Sequence, residues 1–258
     1  MRKIHRIWYV VCLVVGISLL ITIYPFKSGV EGKAWFRYAS KYEQVMSKMW
    51  ASGGAIKYFN KVLKMEQKFL RAKQPTETEI ITVLRSANSR YQKVALVAMS
   101  IKPIETDQLI DILFEFLRDQ DLELRWYALE SLVKFTQFPE SEKADLGEEL
   151  LEIIETRKDN ELSPREISLL AKFPSEEAAQ FLTELIMKEG KETRIRIFKH
   201  LAFRALKEMG DSYYDEAAEY VNTHGSPEIK KELLDFEEFE NLWKDIKSPE
   251  GKEYEENP

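Results

Sequence analysis

Asp121-Leu122-Glu123-Leu124-Arg125-Trp126-Tyr127-Ala128-Leu129-Glu130-Ser131-Leu132 is the stretch whose reading decides the fold. An aspartate ahead of an apolar-periodic run can accept hydrogen bonds from the free N–H groups of a first helical turn, so Asp121 reads as an N-cap. At about 100° per residue, Leu124, Ala128, Leu132 and Phe135 share one arc of that helix. Leu122, Trp126, Leu129 and Val133 share a second, nearly opposite arc. A surface helix carries one apolar stripe, so apolar residues in two directions predict a helix held between neighbours. Asp107 to Leu117 forms a helical run just upstream, and the short Arg118-Asp119-Gln120 link predicts an antiparallel hairpin.

The pattern returns along the chain. Thirty-three residues upstream, Asn88 stands for Asp121, Tyr91 for Leu124, Gln92 for Arg125, Ala95 for Ala128, Ala98 for Ser131 and Met99 for Leu132. Downstream, Ile195-Arg196 repeats the aliphatic-basic pair, with Lys199 at the alanine position. Ser226-Pro227-Glu228-Ile229-Lys230 repeats cap, acid and pair, with Leu233 where alanine would stand. Ser163-Pro164-Arg165-Glu166-Ile167 opens a further short helix with an early proline. About five hairpins fit between residues 76 and 243. A single hairpin cannot bury both faces, and stacking neighbours makes a continuous core.

The order aspartate, glutamate, aliphatic, arginine, alanine, leucine resembles the second helix of a HEAT repeat. Asp121, Glu123, Leu124, Arg125, Ala128 and Leu132 are the matching positions, and Ser131 stands where that pattern has alanine. The resemblance covers roughly two-thirds of the chain and weakens away from the central copy. It implies an all-α chain whose main part is an α-solenoid of about five HEAT-like helical hairpins. It also implies that Arg125 ties neighbouring units together, a structural role rather than a catalytic one.

The chain has 258 residues, a formal net charge of −6 and only 10 Gly and 9 Pro, which suits a helical protein and not a turn-rich all-β one. No alternating β-branched run is long enough for a strand. Arg2, Lys3 and Arg6 precede everything else, so the remainder is more acidic still. An acidic surface disfavours nucleic acid, and no nucleic-acid partner is expected.

Residues 7–24 carry no charge. Eighteen helical residues span about 27 Å, close to a bilayer core of roughly 30 Å. Trp8, Tyr9 and Tyr24 stand at the ends, where amphipathic rings favour the interface. Residues 1–26 therefore read as an N-terminal transmembrane anchor, with a signal peptide as the rival. A small-x-small site exists at Gly32-Lys33-Ala34 but far beyond the apolar run. Basic residues are denser on the N-terminal side, which puts the N-terminus in the cytoplasm and the repeats outside it; in a bacterium that means the inner membrane and periplasm. Cys12, the one cysteine, follows no lipobox and has no disulfide partner in the chain.

Residues 27–75 differ in character from the repeats. Trp35, Tyr38, Tyr42, Val45, Met46 and Met49 recur at helical spacing, Ser52-Gly53-Gly54 breaks the run, and Ile56, Phe59, Leu63 and Leu70 resume it. This predicts an aromatic-rich hairpin capping the stack, with a docking surface near the membrane as the sharper reading. Thr76 then opens the repeat domain, residues 76–246, with Glu79 completing a capping box. Phe138-Pro139-Glu140-Ser141-Glu142 is the widest break in the array, and residues 247–258 read as a disordered acidic tail.

Nothing commits the chain to a chemistry. His5, His200 and His224 are scattered, no glycine-rich phosphate loop or nucleophile elbow occurs, and no catalytic, cofactor-binding or metal site is expected. Two features stand out. Arg196, His200, Arg204 and Lys207 share one helix face, fit to meet a carboxylate-rich partner or lipid headgroups; a solvated face is the bland reading. Trp126, with its apolar stripe, either lines a concave surface or packs on adjacent repeats. The expected function is a membrane-anchored helical-repeat scaffold binding a protein partner. The alternatives are an enzyme or enzyme subunit, since the resembled repeats also build phycobilin lyases, and a secreted soluble binding module if the N-terminus is cleaved.

Overall fold

The computed structural model describes residues 29–54, 56–156, 162–190 and 192–247. Among the described residues are twelve α-helices and no strand. They are α1 (Ala34–Ala51), α2 (Ile56–Arg71), α3 (Glu77–Leu84), α4 (Ser89–Ile101), α5 (Asp107–Leu117) and α6 (Leu122–Lys134). Next come α7 (Lys143–Thr156), α8 (Pro164–Leu170), α9 (Glu176–Met187), α10 (Thr193–Met209), α11 (Asp211–His224) and α12 (Pro227–Lys247). Neighbours in sequence pack as α3 on α4, α5 on α6, α9 on α10 and α11 on α12, whereas α7 packs on α9. The apolar run 7–24, with Cys12, and the tail beyond Lys247 lie outside the described residues. None of the described helices is long and apolar enough to cross a membrane.

The chain divides into two compact units, one up to Ile104 and one from Glu105. In the first, α1 packs along α2 and α4, and α3 packs on α4. Trp35, Phe36, Ala39 and Met46 of α1 are buried, and Phe36 meets Tyr91 edge-on at 5.4 Å. The break falls at Ser52-Gly53-Gly54, where both glycines take the left-handed conformation that stops a helix cheaply. Thr76 forms the predicted capping box with Glu79. Glu79 also takes an ion pair from Lys33. Burial raises its carboxyl pKa, and the hydrogen bonds from Lys33 and the Thr76 N–H outweigh that, holding it below the ordinary 4.5. Gln92, at the arginine position of the pattern, donates to the Leu84 and Ser86 carbonyls at 3.0 and 2.8 Å and so closes the C-terminus of α3.

One face differs from expectation. Phe59, Leu63 and Leu70 continue the apolar spacing of the first hairpin, yet in α2 the core takes Val62 and Phe69 instead. The three predicted residues are exposed. The helix is apolar on two sides, and the periodicity alone did not say which side faces inward.

In the second unit the helices form two layers. α6, α8, α10 and α12 contact one another in succession, and so do α7, α9 and α11. This succession is what makes the bundle repeat-like. Asp121 caps α6 through the N–H groups of Glu123 and Leu124, at 2.9 and 3.4 Å. Leu124, Ala128, Leu132 and Phe135 are all buried, as the first arc predicts. The second arc is only partly covered. Leu129 is buried, Trp126 and Val133 are half-buried, and Leu122 is exposed. Ser163 makes a capping box with Glu166, and Pro164 opens α8.

The loop after α6 is packed rather than loose. Phe138 stacks on Phe135 at 5.7 Å and meets Phe173 edge-on at 4.8 Å. Each fully buried side chain of this kind contributes roughly 1.5–3 kcal/mol of transfer free energy. Phe173 in turn explains a glycine inside α7. A Cβ at Gly147 would lie 3.1 Å from the Phe173 Cβ and 3.2 Å from its carbonyl oxygen, so a side chain there needs the loop to retreat.

Candidate partner-binding surface

α10 carries the predicted stripe. Its inward side is set by Ala202, Phe203, Ala205 and Leu206, all buried. On a 3.6-residue period Phe203 falls in the same arc as Arg196, His200 and Lys207, so the stripe borders the α10–α12 contact rather than facing away from it. Phe203 stacks on Phe236 of α12 at 5.3 Å, and the His200 ring stands 6.0 Å from the same phenyl group. The Lys207 ammonium lies 5.0 Å from the centre of the Tyr214 ring, within cation–π range. Arg196 and Arg204 are the exposed members. Trp126 stands apart on α6, its ring edge-on to Tyr127 at 4.9 Å.

Between the N-terminal halves of α10 and α12 lies a groove of about 680 Å³. Arg196, Lys199 and Lys231 supply its positive charge; Glu189, Glu228, Glu232 and Asp235 supply its negative charge, and Ile229 lies among them. Lys199 is the group that the pattern reading passed over. It is 2% exposed, and its Nζ lies 2.9 Å from Glu232 Oε2. That contact is an ion pair outside hydrogen-bond geometry. Arg196 Nε stands 4.0 Å from the other carboxylate oxygen, with its side chain 56% exposed. One carboxylate thus sits between a buried cation and a solvated one. The signal in the sequence was Lys199 itself, because a lysine on an apolar arc needs a carboxylate within reach.

A second groove, of about 500 Å³, runs between α9 and α11. Glu176, Glu184 and Glu216 line it with Tyr213 and Tyr220. The sequence carried its signal as Glu176, Gln180 and Glu184 at four-residue spacing, which reads in isolation as a solvated helix face. His224 faces its own helix, its Nδ1 3.2 Å from the Tyr220 carbonyl and its ring stacked on that tyrosine. Among the described residues no group of three histidine, cysteine, aspartate or glutamate side chains could hold a metal ion.

The class that this arrangement defines is an all-α, helical-repeat-like protein with charged grooves between successive helices. Compared with family models, with curated proteins and with solved structures, the chain returns no match.

Proposed function

We propose that the protein is a membrane-anchored helical-repeat scaffold that holds a protein partner along the α10–α12 groove. The observation that carries this reading is the groove: some 680 Å³ between successive helices of one layer, with Arg196 exposed in its lining. Small-molecule sites are mostly apolar clefts with a few convergent polar groups. This one distributes charge of both signs along two helices, which suits an extended polypeptide segment and gives register through charge complementarity. The likeness of Asp121–Leu132 to a HEAT helix adds an argument from fold analogy alone. The uncharged run 7–24 supports the anchor, and the basic residues ahead of it support a repeat domain outside the cytoplasm.

The test uses full-length protein carrying Arg196→Glu and Arg204→Glu, with partners captured from solubilised membranes. Substitutions at exposed positions usually change stability by about 0.5 kcal/mol or less, so the variant is expected to fold. It should lose an acid-bearing partner that the wild type retains, most visibly at low ionic strength. Identical partners with identical salt dependence would overturn the assignment of this groove. Carbonate extraction of the same membranes tests the anchor, and recovery of a mature chain starting near Trp35 would remove it.

A further inference from the structure

We infer that the protein assembles head to tail, with a basic ridge on α2 of one copy lying in the acidic α9–α11 groove of the next. At 100° per residue Lys61, Lys64, Lys68 and Arg71 fall within about 80° of arc, and all four are exposed. Val62 and Phe69 fix the inward side of the helix, about 130° round from the centre of that arc. Glu66, the one acid in α2, lies on the side opposite the ridge. Among the described residues none of the four cations forms an ion pair.

The groove between α9 and α11 is the counterpart of this ridge. Glu176, Glu184 and Glu216 line it, and among the described residues they too form no ion pair. Neither α9 nor α11 contains a lysine or an arginine. Tyr213 and Tyr220 line the same groove, and Tyr220 is 47% exposed. An aromatic ring beside carboxylates attracts an ammonium or guanidinium through its own quadrupole, independently of the acids. The lengths agree as well. At 1.5 Å per residue, Lys61 to Arg71 spans about 15 Å and Glu176 to Glu184 about 12 Å.

The occupant follows from where the two charges sit. Each copy carries an unpaired ridge in one compact unit and an unpaired groove in the other. A second copy answers both. An anionic bilayer would answer the ridge alone, and a basic partner the groove alone. Ridge on groove is a heterologous contact: it leaves a free ridge at one end and a free groove at the other, so it extends until it closes. One ridge in one groove is a smaller contact than the standard interface of about 1,600 Å², so charge rather than area holds it, and salt weakens it. The contact uses neither Arg196 nor Arg204 and goes beyond the proposed function.

The experiment uses the full chain in uncharged detergent micelles and a Cys12→Ser background. Two variants carry different tags: Gln67→Cys, beside the ridge, and Gln180→Cys, within the groove, both at exposed positions. A short bismaleimide joins their thiols. In a mixture the mixed product reports ridge on groove, and the two like-chain products report any other contact. The mixed product is expected in several-fold excess over either like-chain product at low ionic strength, and the excess should fall as salt is added. Lys64→Glu with Lys68→Glu in the first chain should abolish the excess. Adding Glu184→Lys with Glu216→Lys in the second chain should restore it, because the two charges have then been exchanged. No excess of the mixed product overturns the inference and leaves the groove to a basic partner. An excess of the product joined at position 67 in both chains also overturns it and assigns α2 to a symmetric contact. An excess that survives the ridge reversal, or that the exchange fails to restore, overturns the charge pairing. Every variant keeps Arg196 and Arg204, so partner capture by the α10–α12 groove is read separately.

Discussion

Ala128 in α6 and Lys199 in α10 occupy the same position of one helical pattern, and both are buried. The two helices meet the same demand in different ways. In α6 the position takes a methyl group, and the neighbouring Ser131 and Leu132 are buried with it. In α10 it takes the longest aliphatic stem that carries a charge, and Glu232 of α12 answers it. A related tie joins α6 to α8, where the Arg165 guanidinium donates to Glu130 at 2.6 Å across 35 residues. Opposite charges one repeat apart thus help to join successive layer helices at both places. What differs is the alanine position itself, which is a small apolar contact in α6 and one of the charges in α10. Apparent decay of a repeat can be a change of cohesive chemistry rather than a loss of it.

The sharpest way to break that comparison is Glu232→Leu. It leaves Lys199 buried with its carboxylate removed, and losing one partner of a buried pair costs about 3–5 kcal/mol. Adding Lys199→Met should recover most of the loss, since buried pairs are often replaceable by apolar residues of similar volume. Urea denaturation of the single and double variants reads both effects. A single-variant cost below about 1 kcal/mol would mean that Lys199 drains its charge into the groove, and the contrast with α6 would lapse.

Next in size is Ala128→Leu. Ala128 has no exposed surface, so added methylenes must displace α6 from its neighbours, at a cost of about 1–3 kcal/mol. An unchanged urea midpoint would show that the close approach is absent and that α6 owes its burial to longer side chains alone.

The all-α class, the caps at Asp121, Asn88, Thr76 and Ser163 and the position of α6 were legible because each rests on chemistry within one turn. What failed was direction. α2 has apolar residues on two sides, and only packing selects Val62 and Phe69 over Phe59, Leu63 and Leu70. The basic stripe was legible as a face but not as a border, because the phenyl group of Phe236 that backs it is far away in sequence. The α9–α11 groove was legible only as one acidic helix face, Glu176, Gln180 and Glu184, because it forms only when Tyr213, Glu216 and Tyr220 of α11 lie beside that face.

The smallest expected effect concerns Lys172, in the turn after α8. Like Lys199 it carries a cation into the second unit, but its ammonium donates to a backbone carbonyl, that of Phe135. Burial lowers its pKa from the ordinary 10.5, and the charges of Glu105 and Glu208 oppose that only in part. Proton linkage sets the sign. Below the lowered value both folded and unfolded chains hold the proton, and the cost of burying the ammonium is constant. Between that value and 10.5 the unfolded chain still binds a proton that the folded chain has released, so stability rises with pH across this window. Other lysines and tyrosines titrate nearby, and the difference from Lys172→Met isolates this one. Wild type should gain stability relative to Lys172→Met as pH is raised toward 10.5, by a small amount because the side chain is only half-buried. Parallel pH profiles would show that water reaches the ammonium, leaving Lys199 as the cation whose burial matters in this unit.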